Sequence, residues 1–188
     1  MKKFMKLLLV MCVMLISTQI AFANADKETM QEGADITAVK RIAIGQPLYT
    51  PSSDSAPNKE ILTQILYDAS RVARTYVISY DEIANNIKKD TDTDIKALDR
   101  RQSAKVLKDN VKNYADAYVI LTVANNSRTS FFFDVYKADD NQLLYTYEIR
   151  ANSNEGDTVA TYTNLCEQFY KHFERSAQEQ LKENNKKK

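Results

Sequence analysis

Between Ala117 and Arg150 the chain reads as three strands joined by two short turns, and this pattern restricts the fold more than any other part of the sequence. Ala117–Val123 (AYVILTV) is almost wholly apolar, as expected of an interior strand covered on both faces. Asn125-Asn126-Ser127-Arg128 is turn chemistry. Thr129–Tyr136 returns as a strand in which Phe131, Phe132 and Phe133 send rings to alternate sides, so cover on both faces is expected again. Ala138–Asn141 (ADDN) makes the second turn, and Gln142–Arg150 (QLLYTYEIR) the third strand. There Leu144, Thr146 and Glu148 oppose Leu143, Tyr145, Tyr147 and Ile149, so one face is more polar and a place near a sheet edge is predicted.

Upstream, strand and helix periods alternate. Val39–Ile44 (VKRIAI) predicts a first strand. Gln46–Pro57 holds all three prolines and predicts a loop, with Ser55 as the cap of the helix that follows and Pro57 in its first turn. That helix runs to about Arg74 with Ile61, Leu62, Ile65, Leu66, Ala69, Val72 and Ala73 on its buried face. Thr75–Tyr80 (TYVISY) is β-branched and aromatic, a second strand. A short helix over Asp81–Lys88 and a long one over Ile95–Tyr114 follow, the latter capped by Asp92 or Asp94 and burying Ala97, Leu98, Ala104, Leu107 and Val111. Asp157 is the expected cap of a last helix reaching about Leu181, with Val159, Tyr162, Cys166, Phe169 and Phe173 on its sheet-facing stripe. The order β-α-β-α-β-β-β-α predicts an α/β fold: one three-layer-type domain with a mixed five-stranded sheet and helices packed on it.

The amino terminus gives an address. Met1–Lys6 is basic, Leu7–Ile16 is an unbroken apolar run, and Ala21-Phe22-Ala23 has small residues in the first and third places. This is the order of a cleaved secretory leader, and the apolar run is too short for a membrane-spanning helix. The predicted division is a signal peptide over 1–23, a flexible lead-in over 24–37, one α/β domain over 38–182 and a disordered lysine-rich tail over 183–188. Met11 precedes Cys12 where a lipidation motif wants a small residue, so the expected product is soluble and unlipidated, periplasmic or extracellular, without stable membrane insertion. Removing Lys2, Lys3 and Lys6 from the 26 basic side chains leaves 23 against 25 acidic ones. Such a balance argues against nucleic acid as a partner, since that binding needs a concentrated basic face.

Residues suited to catalysis are sparse. His172 is the only histidine, and Cys166 the only thiol beyond the leader. Six helical residues separate them, more than half a turn out of phase, so Cys166 is expected in the core and His172 at the surface beside Phe173. Asp90-x-Asp92-x-Asp94 begins like a calcium loop, yet Ile95 and Arg101 stand where that loop needs Gly and Glu. The three glycines are scattered, so no phosphate-cradling loop is present. No catalytic residue, cofactor or metal is therefore assigned. The 11 tyrosines without tryptophan predict mostly core or sheet-surface packing, with a minority available for contact. The candidate interaction surface comprises Tyr49, Thr50, Pro51, Ser52, Ser53, Asp54 and Tyr80, on a loop longer than most connections and at a strand end.

Ala115-Asp116-Ala117-Tyr118-Val119-Ile120-Leu121 and the hairpin Phe133-Asp134-Val135-Tyr136 with Gln142–Tyr147 carry a resemblance. They resemble the strand entry and hairpin of a bacterial envelope group that comprises the TolB amino-terminal domain and the CsgG- and LpoB-type domains. The resemblance spans nearly all of Val39–Leu181 at the level of element order. It implies a non-catalytic domain that binds another envelope protein, whose identity does not carry over. The turns at Asn125 and Asp139 are too short for the membrane-inserting hairpins of the CsgG type. The alternative reading is a periplasmic or secreted protein that binds a small ligand or glycan.

Overall fold

The structure is a computed structural model that describes residues 26–125 and 127–186; the expected leader lies outside these residues. Seven strands and four helices follow one another along the chain. They are β1 (Asp26–Met30), β2 (Arg41–Ile44), β3 (Leu48–Thr50), α1 (Lys59–Ala69), β4 (Tyr76–Ile78), α2 (Tyr80–Thr91), α3 (Arg100–Asn110), β5 (Ala117–Asn125), β6 (Thr129–Lys137), β7 (Leu143–Arg150) and α4 (Val159–Lys186). The sheet order is β1-β7-β6-β5-β2-β4, with β3 beside β5 beyond the end of β2. β2 runs parallel to β4 and β5, whereas β5, β6, β7 and β1 form an antiparallel meander. The predicted mixed α/β sheet is therefore present, with seven strands where five were expected.

Both extra strands come from segments expected to be irregular. The lead-in contains β1, whose sequence DKETM has no apolar period, because its charged side chains meet partners far along the chain. β1 pairs with β7 from Asp26↔Ile149 to Met30↔Tyr145, so β7 is an inner strand rather than a near-edge one. β3 lies inside the proline-rich loop, between Pro47 and Pro51, and uses the length of β5 that β2 does not reach. Prolines flanking an edge strand cost no ladder hydrogen bond.

Caps also moved. Asn58, rather than Ser55, accepts from Ile61 N and starts α1 after Pro57. Ile95 is buried in an irregular segment and α3 begins only at Asp99, which accepts from the backbone of Arg101 and Gln102. Asp92 instead closes α2 in the left-handed region at φ 55°. Thr158 Oγ1 accepts from Thr161 N at the start of α4, because Asp157 is engaged elsewhere. α4 continues to Lys186 and takes in four residues of the expected tail. Among the described residues no helix is long and apolar enough to cross a membrane.

One sheet face is fully covered. Phe131, Phe133, Tyr145, Tyr147 and Ile149 are buried against Tyr162, Leu165, Phe169 and Phe173 of α4. Phe133 stacks on Phe169 with ring centroids 4.4 Å apart, and Phe131 meets Tyr162 edge-on at 4.9 Å. α1 lies alongside, tied by the Tyr170 hydroxyl, which donates to Leu66 O at 3.0 Å. The other face is covered only in part. The crossover from β4 to β5, which carries α2 and α3, covers β2 and extends to Tyr118 and Ile120 of β5 and the Tyr136 end of β6, but leaves the rest of this face bare. Phe132, Thr122, Asp134, Thr146 and Glu148 consequently stay half-buried, and the cover expected on both sides of the phenylalanine run holds for Phe131 and Phe133 but fails for Phe132.

Gly45 ends β2 on the α3 side. A Cβ there would stand 2.3 Å from Ile120 Cδ1 and 3.3 Å from both Leu107 Cδ2 and Val119 O. Gly45→Ala is expected to cost about 1–3 kcal/mol by overpacking. Adding Ile120→Val, which removes the clashing methyl, should recover part of that in urea unfolding. Equal loss in the single and double variants would show that the backbone, and not Ile120, takes the strain.

Candidate functional site

The structure brings six of the seven predicted surface residues together. Tyr49 and Thr50 belong to β3, and Pro51–Asp54 form the exposed loop after it. Tyr49 is half-buried and points to the α4 side, where burial pushes its phenol pKa up. Among the described residues its hydroxyl is enclosed without an aligned partner, as is Asn125 Oδ1, while Asn125 Nδ2 donates to Tyr162 OH at 2.8 Å. Ser52 Oγ donates to Asp157 Oδ2 at 2.7 Å, and Thr129 Oγ1 donates to Asp157 Oδ1. Asp157 thus bolts the loop to β6, which is why it does not cap α4. Tyr80 stands apart. It is buried at the start of α2, with its hydroxyl 3.2 Å from Ser103 Oγ of α3 on the opposite sheet face. Strand alternation could have separated the two tyrosines only if the β3 register against β5 had been known.

A cavity of about 460 Å³ opens at the carboxyl ends of β2 and β4, between α1 and the start of α2. Gln46, Pro47, Gln64, Tyr67 and Ser79 line it, and the Lys96–Asp81 ion pair (2.7 Å) closes its rim. From β2 the chain turns to β4 on one side and then to β5 on the other, and such a switch point is where open α/β sheets leave a crevice. The proline-rich connection predicted this end of the sheet, but Gln64 and Tyr67 sit on the outer face of α1 and carried no sequence signal.

His172 is not a surface residue. Its side chain is 16% exposed and reaches across to β1. Nε2 lies 3.1 Å from Asp26 Oδ2, and Nδ1 lies 3.2 Å from Glu28 Oε2 and 2.8 Å from the Arg175 guanidinium. Tyr147 OH donates to Asp26 at 3.0 Å and Tyr145 OH donates to Glu28 at 3.1 Å. Both ring nitrogens are thus occupied by groups that fasten an edge strand. Cys166 is completely buried on the same helix and burial pushes its thiol pKa well up, so it lacks the thiolate a nucleophile needs.

Burial acts to raise the Glu28 carboxyl, but hydrogen bonds from His172 and Tyr145 and the charge of Arg175 outweigh it and hold the pKa below the ordinary 4.5. A carboxylate with a depressed native pKa adds stability above its unfolded value, and that stability is lost as pH falls through the native value. Glu28→Gln should therefore be less stable than the parent at neutral pH. The difference should shrink below pH 4.5. Unfolding midpoints measured across the acid range check this, and a gap that does not change with pH would sink it.

No family model and no curated protein matches the chain. Among solved structures, the chain is similar to the PelC dodecamer from Paraburkholderia phytofirmans at 13% identity, covering 80% of this chain and 97% of that one with a TM-score of 0.43. It is also similar to the LpoB C-terminal domain from Escherichia coli at 11% identity, covering 65% and 87% with a TM-score of 0.47. Lipoprotein GNA1162 from Neisseria meningitidis is similar at 16% identity, covering 62% and 84% with a TM-score of 0.40. These likenesses reach no further than the path of the chain. LpoB is common to them and to the group that the sequence resembles, while the TolB and CsgG parts of that resemblance rest on the sequence alone.

Proposed function

We propose that this chain is an exported, non-catalytic interaction module of a bacterial envelope, which docks a partner protein on the uncovered face of its sheet. The half-buried state of Phe132 and its neighbours on that face carries the reading. An inner strand that spends a phenylalanine on a stretch of sheet that no helix reaches leaves apolar surface for a partner to cover. Leu48 and Thr50 of β3 border this face, so the predicted segment Thr50–Asp54 forms its rim. The leader-like amino terminus and the envelope-group resemblance supply the location. The engagement of both His172 nitrogens and the burial of Cys166 support the non-catalytic part.

A photo-crosslinking residue placed in turn at Phe132, Asp54 and Lys182, in the cells that make the protein, tests this. Lys182 is exposed on the far end of α4 and serves as the control. One envelope protein captured from Phe132 and Asp54 and absent from Lys182 is expected. Identical adducts from all three positions, or none from Phe132, would overturn the assignment of the face.

A further inference from the structure

The sheet-facing side of α3 is built unlike that of the other helices. Arg100, Ser103, Ala104, Leu107 and Lys108 recur at helical spacing and share one face. Ser103 and Leu107 are buried, yet Ala104 between them is exposed. Ser103, Leu107 and Val111 hold the helix to the core, so Ala104 lies on the flank of the buried stripe, and that flank overhangs a gap. The gap is a cavity of about 230 Å³ between α3 and the second sheet face, walled by Leu48, Leu107, Tyr118, Ile120 and Tyr136. Tyr118 and Tyr136 stack with centroids 5.2 Å apart; Tyr118 is fully enclosed and Tyr136 half-buried, so Tyr136 carries the aromatic side of the gap. No acidic side chain lines it, and two cations, Arg100 and Lys108, stand at the two ends of its helical wall. Neither forms an ion pair among the described residues, although Lys105 of the same helix pairs with Asp109 at 2.6 Å and nearby Lys96 pairs with Asp81.

We infer that this cavity binds an amphipathic organic anion, with an aromatic ring or short acyl chain in the gap and a carboxylate at the mouth held by Arg100 and Lys108. The size agrees: a dry apolar cavity of about 150 Å³ already admits benzene, so this one takes a ring with a short tail. The charge agrees as well. The two cations lie about 12 Å apart along the helix and both line the cavity, a span that two long flexible side chains can bridge to one anionic group. Of the two uncharged polar chains in the lining, Gln46 and Ser103, the Ser103 hydroxyl is already paired with Tyr80 OH. An aromatic side with unpaired cations beside it thus favours an anion over a neutral sugar, which would ask for hydrogen-bonding side chains where Leu48, Leu107 and Ile120 stand. The site adjoins the proposed docking face at Leu48, but its argument does not depend on the partner-docking reading.

The probe is 4-phenylbutyrate, added to the isotope-labelled protein as its cells produce it and followed by amide NMR, with 4-phenylbutan-1-ol as the neutral comparator. Shifts confined to the amides around Leu48, Ala104, Leu107 and Ile120 are expected, with the alcohol binding about tenfold more weakly because it lacks the charge-assisted bonds. The double variant R100Q/K108Q should lose about as much affinity for the acid and none for the alcohol. Ala104→Leu, at an exposed helical position that tolerates the change, should close the mouth and abolish both. No shift at these amides at millimolar acid, equal binding of acid and alcohol, or unchanged affinity in R100Q/K108Q would each overturn the inference.

Discussion

Phe169→Ala is expected to remove about 3–5 kcal/mol of stability, the range for truncating a fully buried phenylalanine. Phe169 is completely enclosed and its ring is shared by the main aromatic cluster. It stacks on Phe133 at 4.4 Å and has Tyr170 at 4.9 Å and Phe173 at 6.2 Å. Removing it leaves a cavity between α4 and the middle of the sheet, where rigid rings on both sides cannot collapse to fill it. Against the roughly 5–15 kcal/mol that holds an ordinary domain, such a loss brings the protein close to unfolding at growth temperature. Urea unfolding should show a lower midpoint at an unchanged slope. Phe132→Ala, on the uncovered face, should cost far less. Similar losses at Phe132 and Phe169 would mean that the second face is packed after all, and would remove the basis of the docking proposal.

The second large effect is alkaline. Burial pushes the Tyr118 phenol up to about 12, pushes those of Tyr145, Tyr147 and Tyr162 higher still, and raises that of Tyr170 well above the ordinary value. All five are at most 1% exposed. In the unfolded chain these groups ionise near the ordinary value of 10. A raised native pKa therefore contributes stability that is complete below pH 10 and is lost as pH rises toward the native values. Each phenol that ionises only on unfolding tilts stability by about 1.4 kcal/mol per pH unit. Five together reach about 7 kcal/mol per unit once the unfolded chain has lost those protons. The fold should thus collapse cooperatively in the first pH units above 10, and phenolate absorbance from the buried tyrosines should rise in step with the loss of circular dichroism. A gradual rise in absorbance with the fold intact would show that these hydroxyls reach water in the native state.

Much of the scaffold was legible in sequence because it rests on local periods. The meander from Ala117 to Arg150 and the α4 stripe of Tyr162, Cys166, Phe169 and Phe173 were found where expected. By contrast, Val159 in the first turn of α4, Ile61 and Val72 around α1, and Ala97 and Ala104 in the third helical segment face solvent at the margins of their stripes. Periodicity of two or of 3.6 survives any tertiary context that buries one face. The missed strands obey no such rule. β1 is a row of charged and polar residues whose hydrogen bonds run to β7 and whose ion pairs run to α4, more than 100 residues away. His172 looked like a surface residue because its partners Asp26 and Glu28 lie in that same unrecognised strand. The candidate loop was legible through its prolines and its length, whereas the placement of Tyr80 away from it was not.

The amino-acid sequence by itself determined the class of this protein: a mixed α/β sheet with an antiparallel meander and helices docked by aromatic stripes. It did so because apolar spacing and turn chemistry are local, and few architectures bury that set of stripes at once. Only the tertiary structure decided which sheet face stays open, where β1 closes the edge, and how far α3 stands from Ile120. Those outcomes depend on the reach of one crossover and on pairings between residues remote in the chain. The energies of such contacts exist only once the two segments have met.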